Sequence, residues 1–178
     1  VLNKGALQQC DTPEVVYNLP ANRFVASTIG SPPTNFISAE ARPHGDNLLL
    51  AHAAFALAAE GGRHPVRAAL EAAGQLPEKV LIGCRPEDVR VSTSPANGCN
   101  IPAQVSVVEP LGGETVVDLF VGNDIVKAVV PPTQRLEERR HVWLGFDPQR
   151  IHLFDARTGA RIYTTGQAEQ FVCLEAVH

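Results

Sequence analysis

The feature that most constrains this chain is a succession of short β-rich runs from Lys79 onward, closely spaced and each ended by Gly, Pro or Asn. Residues 80–84, 89–92, 100–109, 114–121, 124–130, 141–146 and 151–155 are the expected strands. Short strands joined by tight turns pair with near neighbours, and the sheet they build must hide its edges. The pattern therefore predicts a mainly β fold, an all-β barrel or sandwich. Gly122-Asn123 joins two of the strands as a tight hairpin, because both residue types tolerate positive φ. No internal repeat is evident.

The first third of the chain has a different texture. Asn3-Lys4-Gly5 is a turn signal between two short apolar stretches, which predicts a small hairpin. Thr12 is placed to cap a helix that begins at Pro13 and runs to about Asn18, with Glu14 in its first turn. Pro20 is placed to open a second short helix with Phe24, Val25, Thr28 and Ile29 on one face and Gly30 as its stop. Ser31-Pro32-Pro33 then reads as a linker, since two prolines remove two donors and favour extended backbone. Residues 35–40 and 47–52 are expected to pair around Pro43-His44-Gly45-Asp46. The alanine-rich stretch 53–74, with Val66, Ala69, Leu70 and Ala73 at helical spacing, is expected to be a short surface helix or an ordered loop.

Composition excludes several functions. No apolar run approaches the roughly 18–20 residues of a spanning helix, and the net charge of −4 with scattered Lys and Arg leaves no basic stripe for nucleic acid. Cys10, Cys84, Cys99 and Cys173 lie far apart with no C-x-x-C pair, which argues against zinc and for isolated thiols in a reducing, cytoplasmic setting. Val1 opens onto strand-like sequence without a charged leader, so the chain is expected to be a fragment. There is no G-x-x-x-x-G-K-[ST] loop to cradle phosphates, and no nucleophile partnered by a base.

Specific motifs narrow the reading. Leu7-Gln8-Gln9, Asp11-Thr12-Pro13-Glu14 with Tyr17, the stretch Pro20 to Ala26, Ile29-Gly30-Ser31-Pro32 and Asn35-Phe36 resemble the segment that leaves the nucleotide-binding domain in ATPase subunits of carbohydrate ABC importers, the maltose and glycerol-3-phosphate types above all. Ile82-Gly83-Cys84-Arg85-Pro86-Glu87-Asp88 resembles that family's G-x-R-P-E-D element, and Val108 to Thr115 its V-E-x-L-G-x-E element. Ile151 to Asp155 with Thr158-Gly159 resembles its closing strand. The resemblance is weak over 37–79 and ends after Gly166. It implies an OB-type barrel of the transport-associated kind. Residues 1–30 are then a nucleotide-binding-domain remnant with a helical connector, 31–165 a regulatory barrel, and 166–178 a tail without an assigned role.

It also implies a regulatory and dimerisation module, whose partners are a second copy, permease subunits reached through the parent's nucleotide-binding domain, and a regulatory protein. No cofactor is expected in this fragment, ATP and Mg belonging to the intact parent at the inner face of the cell membrane. An oxyanion-sensing barrel is the alternative. Arg85 and Glu87 are expected to form an ion pair at a strand corner or to contact a partner; Gly112, Gly113 and Glu114 to make a tight turn or bulge, or to bind an anion. His152 is expected on the solvent face of its strand, Trp143 and Phe146 inside the barrel, and Glu137 to Arg140 in a solvated loop. Arg23, Asn35 and Phe36 are expected to join connector to barrel and to form a surface facing other subunits.

Overall fold

Helix caps and turn residues set the local structure of the first thirty residues. The structure is a computed structural model and describes residues 1–44, 47–60, 78–95, 98–147, 149–164 and 170–174. β1 (Leu2–Asn3) and β2 (Ala6–Leu7) pair through a turn in which Lys4 (φ +48°) and Gly5 (φ +82°) are left-handed, as a tight hairpin of this hand requires. Helix α1 (Pro13–Asn18) starts as expected, with Thr12 Oγ1 accepting from the Val15 amide at 3.4 Å. Helix α2 (Arg23–Thr28) starts later than Pro20, because Asn22 is its cap and accepts from the Val25 amide at 3.0 Å. A side-chain acceptor ahead of the first free amides is worth more than a proline at N1. In so short a helix only Val25 and Ala26 are fully buried; Phe24 and Ile29 are half-buried and Thr28 is exposed.

The remaining strands are β3 (Asn35–His44), β4 (Asn47–Ala51), β5 (Ala56–Glu60), β6 (Lys79–Cys84), β7 (Val89–Ser92), β8 (Ile101–Pro110), β9 (Thr115–Val121), β10 (Asp124–Val130), β11 (His141–Phe146), β12 (Ile151–Asp155), β13 (Arg161–Thr164) and β14 (Gln170–Leu174). All pairings are antiparallel, in a five-stranded sheet of order β10-β9-β8-β11-β7 and a seven-stranded sheet of order β13-β12-β6-β3-β4-β5-β14. Inward residues of both, among them Ile37, Leu50, Ile82, Val105, Leu119, Leu144 and Leu153, share one hydrophobic core.

The seven-stranded sheet cannot be flat. Residues 164 and 170 end and begin its two edge strands, and 170 − 164 = 6 steps of extended chain span at most roughly 21 Å. Six interstrand spacings would separate the edges by roughly 29 Å. The sheet therefore curls, as an OB-type barrel demands. The edges of the five-stranded sheet are answered by side-chain amides. Asn35 donates Nδ2 to the Lys127 carbonyl and accepts the Lys127 amide, both at 2.8 Å, so β10 finds a partner in the other sheet. Gln134 Nε2 donates to the Val91 carbonyl of β7 at 2.8 Å.

Three expectations are corrected. Residues 56–60 of the alanine-rich stretch form a strand, because pairing with β4 on one side and β14 on the other overrides alanine's poor strand propensity; its continuation, 61–74, lies outside the described residues. The hairpin of β3 and β4 is longer than expected, with His44 opposite Asn47 and 45–46 outside the described residues. The chain beyond Gly166 adds Gln170–Leu174 to the edge of β5, while 166–169 and 175–178 lie outside the described residues.

Candidate interface between the helical connector and the barrel

The end of β6 carries the chain out of the barrel and straight under both helices. Arg85, only 3% exposed, donates Nη1 to the Ile29 carbonyl at 2.9 Å and Nη2 to the Tyr17 carbonyl at 2.5 Å. Its guanidinium carbon lies 3.4 Å from the centre of the Tyr17 ring. Tyr17 is in the last turn of α1 and Ile29 is the C-cap of α2. The final carbonyls of a helix have no partners within it, and one arginine here serves both helix ends while stacking on an aromatic face.

Gly30, at φ +116°, follows from this, since a Cβ there would come within 2.7 Å of Arg85 Nη1. The Tyr17 hydroxyl donates to Glu87, and burial, with that carboxylate next, pushes the phenol pKa up. The expected Arg85 ion pair or partner contact is thus replaced by a buried joint. Arg85 bonds to carbonyls because β6 delivers it beneath the helices, and Glu87 is taken by Tyr17.

His152 is also corrected, being 5% exposed on a strand whose residues 151–154 are all buried. Ile151 and Leu153 enter the barrel core, whereas Phe154 packs edge-on against Phe36, their centres 5.7 Å apart. β12 is therefore covered on both faces, and the polar-out rule fails there. Burial, then the positive charges of Arg85, Arg161 and Arg150, lowers the His152 pKa to about 4. In the turn after β6, burial first and Glu87 second raise Asp88 to about 6.

A second contact lies along α2. The Arg23 guanidinium carbon sits 5.3 Å from the centre of the Phe36 ring, and the Arg23 amide donates to the Gly159 carbonyl at 2.8 Å. Asn22 bridges to Ala160, and the Arg161 amide donates to the Ala21 carbonyl at 3.3 Å. Between α2, the first hairpin and the β12–β13 turn runs an open groove of about 730 Å³. The structure thus brings Arg23 and Phe36 together. Asn35 is not with them: it faces the other side of β3 and is engaged by β10.

The remaining sequence candidates lie elsewhere. Gly112 (φ +84°), Gly113 and Glu114 form the exposed tip of the β8–β9 hairpin, where the Leu111 amide donates to the Glu114 carbonyl at 2.8 Å. Trp143 is half-buried on the outer face of β11, because Val142 and Leu144 take the inward positions; Phe146 is buried. On the outer face of the same sheet, Phe120 and Ile125 stand opposite one another, 44% and 56% exposed. Sequence reasoning missed Tyr17 and His152 as parts of the joint; a tyrosine at a helix end and a histidine inside an apolar quartet were the available signals. Among the described residues no group of His, Cys, Asp and Glu is arranged for a metal, and no helix is long and apolar enough to cross a membrane.

With this geometry in hand, comparison with known proteins is specific. The TOBE domain model matches residues 82–154, from β6 to β12. The sulfoquinovosyl glycerol transport ATP-binding protein SmoE of Agrobacterium fabrum is 35% identical over 167 residues, 92% of this chain and 43% of that protein. The trehalose/maltose import ATP-binding protein MalK of Thermococcus litoralis is 36% identical over 92% of this chain and 43% of that protein. The sn-glycerol-3-phosphate import ATP-binding protein UgpC of Salmonella typhimurium is 32% identical over 91% of this chain and 42% of that protein. The chain thus spans less than half the length of these relatives. A crystal structure of the cytoplasmic molybdate-binding protein ModG, with molybdate bound, shares the fold at a TM-score of 0.51 and 12% identity, over 67% of this chain and 94% of that one. Motifs, barrel and relatives agree, and the chain belongs to the TOBE-carrying C-terminal region of the ATP-binding subunits of sugar- and glycerol-3-phosphate-type ABC importers.

Proposed function

We propose that this chain is the regulatory and dimerisation part of an ATP-binding subunit that serves an importer of a carbohydrate or related solute, and that alone it hydrolyses nothing. The observation that carries the reading is the match of 92% of the chain to such subunits, with the TOBE domain at 82–154, in a sequence without a phosphate-binding loop. ATP and Mg would be held by the parent's nucleotide-binding domain, since the residues here do not fit them. Residues 1–30 act as the connector, 31–165 as the barrel, and the parent works at the inner face of the cell membrane with permease subunits. A second copy docks through the β-rich part, a reading supported by the exposed Phe120 and Ile125, and a regulatory protein would meet Arg23 and Phe36.

Two measurements on the chain test this. Calorimetric titration with ATP and Mg should show no binding, and micromolar affinity would refute the division of labour. Light scattering should show a dimer at high concentration that Phe120→Asp returns to monomer; a monomer at every concentration would remove the dimerisation role. The second reading, an oxyanion-sensing barrel, is favoured by likeness of fold to the molybdate-binding protein. Saturable binding of molybdate at micromolar concentration would promote it over the first.

A further inference from the structure

The groove along α2 differs from the Arg85 joint in what its polar groups still have to offer. Its lining includes Arg23, Arg157, Gln8, Asn22, Ser27 and Thr158 and holds no Asp or Glu, in a chain with 19 acidic against 15 basic residues. Three of its side-chain acceptors are already engaged. Gln8 Oε1 accepts from Asn22 Nδ2 at 2.9 Å, Asn22 Oδ1 from the Val25 amide at 3.0 Å, and Thr158 Oγ1 from the Ala160 amide at 3.2 Å. What these three residues and the arginines leave for an occupant is mainly donors, the Gln8 amide hydrogens, the Thr158 hydroxyl hydrogen and two guanidiniums, with the Asn3 amide in the same lining offering both a donor and an acceptor. The acid on the adjoining turn, Asp155, faces its own loop and accepts from the amides of Arg157 at 3.0 Å and Thr158 at 2.5 Å. Ser27 is the complement, for its hydroxyl donates to the Phe24 carbonyl at 2.9 Å and offers only lone pairs.

We propose that this groove binds a small phosphorylated polyol, with its phosphate on Arg23 and Arg157 and its hydroxyls on Gln8, Thr158 and Ser27. Guanidinium forks match phosphate oxygens in bidentate geometry, and the face of Phe36, 5.3 Å from the Arg23 guanidinium carbon, holds one fork at the edge of the groove. About 730 Å³ is more than a bare oxyanion needs and falls within the roughly 300–1,000 Å³ of small-ligand sites. The Ser27 oxygen favours a ligand that also donates, and a polyol brings several hydroxyl donors away from its phosphate where inorganic phosphate has only its own P–OH. The lining comes from the first hairpin, from α2 and from the β12–β13 turn, so the occupant ties the connector to the barrel. The proposal rests on the regulatory reading for that consequence alone; binding is measured on the chain without reference to ATP or to dimerisation.

The test is titration of the chain with glucose 6-phosphate at low ionic strength, by calorimetry and by NMR of the Gln8 side-chain amide and the arginine Nε–H groups. Saturable binding that shifts Gln8, Arg23 and Thr158 is expected, weaker with added salt, with glucose alone inert and inorganic phosphate at least about tenfold weaker. Arg157→Gln, on an exposed turn, and Arg23→Gln should each weaken binding about tenfold or more while the barrel amides keep their shifts. No saturable binding, shifts outside the groove, or unchanged affinity in Arg157→Gln would overturn the site. Equal affinity for inorganic phosphate would overturn the polyol. None of these results alters the ATP or light-scattering results, so failure here is distinct from failure of the regulatory reading.

Discussion

Two arginines bring the connector against the barrel, Arg85 from β6 and Arg23 from α2, and they end in opposite states. Arg85 is buried, stacked on Tyr17 and bonded to the last carbonyls of both helices. Arg23 is exposed, rests on Phe36 and borders a groove rich in uncommitted donors. The same side chain thus serves as a permanent joint where its surroundings supply acceptors, and as a ligand-facing group where they do not. Substitution should separate the two: changes at the joint register as stability, changes at the groove as binding.

The largest effect is expected at Arg85. Arg85→Ala leaves two helix-end carbonyls and the Tyr17 face without their partner, and should destabilise the chain by about 3 kcal/mol in urea unfolding. Arg157→Gln should change stability by less than about 0.5 kcal/mol. Equal losses would erase the contrast between joint and groove.

Acid should act on the joint next, through two groups of opposite sign. His152 has its pKa lowered to about 4, so the unfolded chain binds its proton first. Its contribution is whole above pH 6.5 and is lost as pH falls toward 4, a loss on the order of 3 kcal/mol when complete. Asp88 is raised to about 6, so the folded chain binds that proton first, and its contribution is present at low pH and fades as pH rises through 6. Between pH 6 and 4 the two oppose each other, and the wild-type stability should vary little. Asp88→Asn should expose a steep fall on acidification, and His152→Gln should turn the slope the other way. Parallel profiles for the two variants would show that neither group senses the joint.

Asn35 offers a smaller effect, away from both arginines. Asn35→Ala removes both bonds to Lys127 and should cost about 2 kcal/mol, and Asn35→Asp, which keeps the acceptor but sets a carboxylate oxygen against the Lys127 carbonyl, should cost at least as much. Smallest of all, Gly112→Ala places a side chain at φ +84° in open space and should cost about 1 kcal/mol by thermal melting, while the same change at Gly113 should be neutral.

Much of this architecture was legible in the chain because it is local. The strands 89–92, 124–130, 141–146 and 151–155 and helix α1 have the expected limits, since alternation, caps and turn residues act within a few positions. The joint was not legible, because it depends on which face another segment covers. His152 is polar within an alternating stretch, yet it is buried on the outer side of β12, where Phe154 packs against Phe36. Arg85 stands next to Pro86-Glu87-Asp88, a setting that reads as an ion pair until Tyr17 is seen to occupy Glu87. The strand at 56–60 depends on β4 and on residues more than a hundred positions away, and its alanines carry no strand signal of their own. Arg23 and Phe36 were found by motif, and Asn35 beside them serves a different contact because neighbours in a strand face opposite ways.

Amide hydrogen exchange on Arg85→Ala tests the joint most directly. The account predicts that protection falls across Pro13–Asn18 and Arg23–Thr28 while β8, β9 and β11 exchange as in the wild type, and that Arg157→Gln leaves every segment unchanged. Uniform loss across the barrel, or unaltered protection of both helices, would contradict it.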